Sequence, residues 1–146
     1  MIRKILVATD DSDHAKKAIA YAGDIACKYN ATLYLVHVVS FSHSAALAGR
    51  HLSEAGMETL RSQVKKAGED IIREAEAAAR SQGVKRIETF LLEGDPASEI
   101  LSTAKQYDVD AVVLGSRGAG MVNRLMLGSV SHKVCHLADR TCITVK

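Results

Sequence analysis

Four of the ten glycines in this chain fall between positions 115 and 128. The run Gly115-Ser116-Arg117-Gly118-Ala119-Gly120 is followed by Gly128-Ser129-Val130-Ser131. Glycine opens positive φ and removes the Cβ that keeps a ligand away from backbone amides. From position 111 to position 138 the sequence carries no Asp or Glu, while Arg117, Arg124 and Lys133 are cationic. A helix opening at Gly128-Ser129 adds free amide hydrogens and the positive end of its dipole. The hydroxyls of Ser129 and Ser131 supply further donors. Together these residue types make a receptor for an anion, above all phosphate. The competing reading, a tight loop followed by an ordinary helix cap, uses the same residues.

Two familiar phosphate motifs are absent. No glycine is followed by Lys-Ser or Lys-Thr, as the Walker A loop requires. Gly118-Ala119-Gly120 is followed by Met-Val-Asn, so the dinucleotide pattern GxGxxG also fails. Neither a Ser-His-Asp arrangement nor a pair of catalytic carboxylates can be argued from the sequence. His132 and His136 have the i, i+4 spacing that can hold a metal, but no third ligand accompanies them. Cys135 reads as a small buried or half-buried residue. His37, inside an apolar run, reads as a core histidine bonded to backbone. Asp10 stands at the end of the first apolar run, as a ligand-facing acid or as the cap of the following helix.

The elements that must position these groups are legible as alternating runs. Residues 2–9, 32–39, 86–93, 110–115 and 141–146 read as strands, and their nearly continuous apolar character predicts a sheet covered on both faces. Ser12 is an N-cap for a helix to about Tyr29, with a stripe of Ala15, Ala18, Ile19, Ala22, Ile25 and Ala26. A long helix over 53–82 carries Met57, Leu60, Val64, Ala67, Ile71, Ala75 and Ala78 on one face and stops at Gly83. Asp95-Pro96 starts another, and the last buries Val130, Val134, Leu137 and Ala138. Residues 40–50, rich in Ser, Ala and Gly, read as a mobile flap. The order β-α-β-α-β-α-β-α-β predicts an α/β three-layer sandwich in one domain over residues 1–146. Ligands of such open parallel sheets sit beyond the carboxyl ends of the strands, where strand order reverses.

Composition bounds the partners. With 47% hydrophobic residues, 25% charged residues and one proline, the chain is neither disordered nor collagen-like. A net charge of +2 announces no nucleic-acid or anionic-membrane partner. No stretch approaches the ~20 apolar residues of a membrane span, and no signal peptide is read before Asp10 and Asp11. Three cysteines without a CxxC predict reduced thiols and a cytoplasmic location.

Lys4-Ile5-Leu6-Val7-Ala8-Thr9-Asp10, His37-Val38-Val39, Gly94-Asp95-Pro96 and above all Gly115-x2-Gly118-x9-Gly128-Ser129 resemble the universal stress proteins across the whole chain. The last match reproduces the G-2x-G-9x-G-[S/T] pattern of the family's ATP-binding branch. The resemblance implies a five-stranded parallel sheet ordered 3-2-1-4-5 and ATP as ligand, with Mg²⁺ accompanying the triphosphate. It implies that Ala8, Thr9 and Asp10 border the nucleoside, with Asp10 near ribose hydroxyls or a phosphate-bound metal, and that Val38 lines the adenine pocket. Gly115, Arg117, Gly118, Gly128, Ser129, Val130 and Ser131 would surround the phosphates, and Leu114 joins the binding set. Ala8 departs from the proline of several ATP-binding members. A homodimer through the last strand, Thr141 to Val145, is also implied. So is a regulatory nucleotide-binding role with at most slow ATP hydrolysis; a true hydrolase and an interaction module that binds no nucleotide are the alternatives. The Ser-Gly-Gly-x-Asp-Ser loop of related pyrophosphatases is missing after the first strand.

Overall fold

A computed structural model describes residues 1–48, 52–118 and 127–146. The strands are β1 (Lys4–Ala8), β2 (Thr32–Val39), β3 (Arg86–Glu93), β4 (Ala111–Gly115) and β5 (Thr141–Val145). The helices are α1 (Asp13–Tyr29), α2 (Phe41–Ala48), α3 (Glu54–Ser81), α4 (Pro96–Gln106) and α5 (Ser129–Leu137). All strand pairs are parallel and the order is β3-β2-β1-β4-β5, as expected from the resemblance. Strand order therefore reverses between β1 and β4.

The apolar runs are continuous because successive residues feed two cores. Ile5, Val7, Leu33 and Leu35 pack with Ile19 and Ala22 of α1 and with Ile72, Ala75 and Ala79 of α3. Leu6, Tyr34, Val36, Val112 and Leu114 face the other way, onto Ile100 and Ala104 of α4 and Val134 of α5. Eight of the nine largest fully buried side chains belong to β1, β2 and β4. Each contributes about 1.5–3 kcal/mol. The most deeply buried strands are thus those flanking the switch point.

Helix ends follow their chemistry. Ser12 Oγ accepts Ala15 N (3.2 Å), Ser53 Oγ accepts Gly56 N (3.1 Å) and Asp95 Oδ2 accepts Ser98 N (3.0 Å). Gly83, at φ 97°, closes α3: its N–H reaches Arg80 O at 2.9 Å and Val84 N reaches Ala79 O at 3.2 Å. This is the paired bonding of a glycine-terminated helix.

Three expectations require correction. Residues 40–50 are not a loose flap throughout: Phe41–Ala48 is helical, with Ser44 N bonded to Ser40 O at 3.1 Å. Gly49 and Arg50 lie outside the described residues. The buried face of α3 is Gly68, Ile72, Ala75 and Ala79, while Ala67 and Ala78 are exposed. Gly68 sets this face, because a Cβ there would lie 2.7 Å from Leu91 Cδ1 and 3.0 Å from Val39 Cγ1. In α5, Val134 is buried but Leu137, in the last turn, is 56% exposed.

Candidate functional site

A cavity of about 420 Å³ opens at the carboxyl ends of β1, β2 and β4, on the side covered by α4 and α5. Ala8, Thr9, Asp10, Val38, Leu114, Gly115, Arg117, Gly118, Gly128, Ser129, Val130 and Ser131 all line it. The sequence-predicted set is thus brought together around one space. Ala15, Val36, Pro96 and Ile100 also line it and were not anticipated. Val36 shares the face of Val38 by strand alternation, so period two held the signal for it.

Beyond β1 the chain turns sharply. Asp11 takes φ 66°, a left-handed conformation that Asp tolerates better than most residues. Asp11 N reaches Thr9 Oγ1 at 3.3 Å, and Asp10 Oδ1 accepts Ser12 N at 3.1 Å. The carboxylate of Asp10 therefore lies at the rim while bracing the entry to α1. His37 fixes the same turn from β2: its Nδ1 donates to Thr9 O at 2.7 Å, as expected of a histidine bonded to backbone.

The glycines beyond β4 serve close approach rather than unusual dihedrals, since among the described residues Gly83 and Gly94 are the glycines at positive φ. A Cβ on Gly115 would lie 2.8 Å from both Ala15 N and His14 C, so this glycine lets α1 press on the end of β4. A Cβ on Gly118 would meet Asp10 Oδ2 at 2.8 Å. One on Gly128 would lie 3.3 Å from Arg117 Cα and 3.4 Å from Ser116 O. The two separated glycine segments are adjacent in space, joined by Gly128 N donating to Ser116 O at 2.7 Å. Residues 119–126, with Gly120 and Arg124, lie outside the described residues.

Not every predicted donor faces the cavity unspent. Ser131, 5% exposed, donates its hydroxyl hydrogen to Gly115 O at 2.7 Å, tying α5 to β4. Lys133 Nζ lies 3.2 Å from Asp95 Oδ2 and so joins α5 to the start of α4 instead of lending a free charge to the loop. Bonds from the Ser98 side chain and backbone, then from Lys133, lower the Asp95 pKa to about 2. Among the described lining residues Asp10 is the carboxylate and Arg117 the cation.

The first turn of α5 is finished differently from those of α1, α3 and α4. Gly128 is its N-cap and, having no side chain, makes no side-chain cap bond. The amides of Ser129, Val130 and Ser131, at the cavity wall, have no partner within the helix by position. This arrangement presents several N–H donors and the positive helix end to whatever enters.

His132 and His136 stack with ring centroids 6.2 Å apart on an exposed face, and no group of three metal-binding side chains occurs among the described residues. Cys135 is exposed, contrary to the expected burial, because α5 buries Ser131 and Val134 and turns position 135 outward. Burial, then Cys135, raises the half-buried Cys142 thiol to about 11. No described helix is long and apolar enough to cross a membrane.

A doubly wound parallel sheet with a glycine-lined cavity at its switch point defines a class, and sequence comparison gives the family. The profile of the Universal stress protein family matches residues 1–146. Universal stress protein YxiE of Bacillus subtilis is 39% identical over 149 residues, covering 100% of each chain. Among solved structures, universal stress protein UspA from Lactobacillus plantarum is 26% identical with a TM-score of 0.83, covering 99% of this chain and 98% of its own. Hypothetical protein MJ0577 of Methanocaldococcus jannaschii shares the fold with a TM-score of 0.85 at 22% identity, covering 100% of this chain and 96% of its own. The chain belongs to the universal stress protein family.

Proposed function

We propose that this chain is an ATP-binding regulatory protein, acting through nucleotide occupancy rather than through rapid turnover. The adenine lies in the apolar end of the cavity, between Ala8, Val36 and Val38, and Thr9 and Asp10 border the ribose. The polyphosphate lies against Gly118, Arg117 and the opening turn of α5. The observation that carries this reading is the glycine-capped α5 N-terminus beside Arg117 in a cavity with an apolar opposite end. Phosphate completes such a helix end without any side-chain acceptor. Solved universal stress proteins of this fold have been determined in complex with cAMP and with dAMP, and their likeness to this chain is one of fold.

Mg²⁺ is ordinarily held by one or two carboxylates together with substrate phosphates. Asp10 at the rim fits that pattern and would hold a metal arriving with the triphosphate, which would neutralise phosphate charge. The described lining residues offer no second acid or imidazole as a general base, so turnover is expected far below ~1 s⁻¹. The reading also places the protein in the cytoplasm as a dimer through β5, an edge strand paired on one side by β4. Unpaired strand edges invite such pairing. Removing residues 141–146 should abolish the dimer in sedimentation, and an unchanged dimer would exclude this interface.

Displacement of a fluorescent ATP analogue by ATP, ADP and AMP, run beside a steady-state phosphate-release assay, tests the central reading. Saturable binding with turnover below ~1 s⁻¹ is expected. Faster turnover would make the protein a hydrolase, and absence of saturable binding would make it an interaction module.

A further inference from the structure

We propose that His14 is a positioning residue of this site, holding the Arg117 guanidinium where it meets the nucleotide phosphates. The inference rests on the reading of the cavity as an ATP site. Arg117 Nη2 lies 3.0 Å from His14 Nε2, and His14 Nδ1 lies 2.8 Å from Ser116 Oγ. A guanidinium can donate but not accept, so Nε2 is the acceptor and the imidazole is neutral. Its hydrogen is then on Nδ1, which donates to Ser116. Ser116 is 4% exposed, with its N–H bonded to Val145 O at 2.7 Å and its O accepting Gly128 N at 2.7 Å. The imidazole is therefore anchored to a fixed hydroxyl and presents its free lone pair to Arg117.

Three features make this more than a chance contact. His14 reaches the loop because Gly115 lacks a side chain: a Cβ there would lie 2.9 Å from His14 Cβ. The main chain of Arg117 is held to the same turn of α1, with Ser12 Oγ 3.5 Å from Arg117 O. Finally, an imidazole orients an arginine without cancelling its charge. A carboxylate in that place would compete with phosphate for the guanidinium, and Arg117 forms no ion pair among the described residues. Arginine carries substantial rotamer entropy, and fixing the side chain before the ligand arrives reduces what binding must remove. His14 does not line the cavity itself, so its effect passes through Arg117.

Equilibrium titration of the full chain with Mg-ATP and with adenosine separates this role from a structural one. His14→Ala should weaken ATP binding about five- to tenfold, the scale of one coupled charge-assisted contact. Adenosine affinity, which also reports an intact fold, should change less than about twofold, because the nucleoside end does not touch Arg117. His14→Gln, whose amide can accept from Arg117 and donate to Ser116, should restore ATP binding. In an Arg117→Ala background, His14→Ala should cost nothing further. Equal losses for adenosine and ATP, a full second loss on Arg117→Ala, or no rescue by Gln would each overturn the role of His14. Wild-type protein that binds neither ligand would instead bring down the reading of the cavity, and the positioning role with it.

Discussion

Helices α1 and α5 both begin at the cavity wall, and their first turns are completed by different means. In α1, Ser12 supplies the acceptor for Ala15 N and Asp10 braces Ser12 N, so side chains of the chain itself satisfy the turn. In α5, a glycine holds the cap position and offers no side chain of its own to the first turn. The neighbouring glycines each permit a close approach. Gly115 admits the backbone of α1, Gly118 leaves room for the Asp10 carboxylate, and Gly128 lets α5 begin against the backbone of Ser116 and Arg117. One half of the site is thus closed by its own side chains, and the other is the half that the proposed reading gives to an anion.

The largest effect on ligand affinity should come from forcing the start of α5 away from the β4 loop, where a Cβ on Gly128 would lie 3.3 Å from Arg117 Cα and 3.4 Å from Ser116 O. Gly128→Val should lower ATP affinity at least about 100-fold, or roughly 2.7 kcal/mol, with the circular dichroism spectrum retained. A mutant binding ATP within a few-fold of wild type would show that the close seating of α5 on the β4 loop does not matter for the ligand. The closed half should respond in stability instead. Gly115→Ala puts a methyl against backbone atoms at 2.8 Å that cannot swing aside, so a loss of about 1–3 kcal/mol is expected from urea midpoints. Ser12→Ala removes the α1 cap and should cost about 1 kcal/mol, measured the same way.

The smallest effect concerns Asp95, whose carboxylate joins α4 to Lys133 of α5. Its folded pKa, about 2, lies below the ordinary 3.8, so its contribution is present above about pH 4 and fades as pH falls through about 2. Wild type and Asp95→Asn should therefore differ slightly in urea midpoint near neutrality and converge near pH 2. A difference that persists or grows in acid would contradict this assignment.

The half of the site made from glycine spacing and strand ends was legible in the sequence, because those features are local. Gly115, Gly118 and Gly128 declare themselves by absence of side chains, and Ala8 to Asp10 by their place after a buried strand. The strand order was legible through family resemblance. What escaped was contact across sequence. His14 is 103 residues from Arg117, and a single histidine in a first helical turn carries no periodic signal. Gly68 was missed for a related reason: a pattern of apolar side chains passes over the residue that packs closest by having none. Helix α2 is hidden in a stretch rich in Ser, Ala and Gly, and its eight residues are too few to show an apolar period. Ser131 was read as a ligand donor, since nothing local reveals that Gly115 O receives its hydrogen.

Amide NMR during titration addresses the central claim most directly, because it reports each N–H of the two first turns separately. Addition of ATP should shift the amides of Ser129 and Val130 saturably, together with those of Arg117 and Gly118. Ala15 N, already bonded to Ser12, should move little, and adenosine should leave the α5 amides nearly in place. Saturable binding of ATP without movement at residues 128–131, or with the main shifts at the start of α1, would contradict the account.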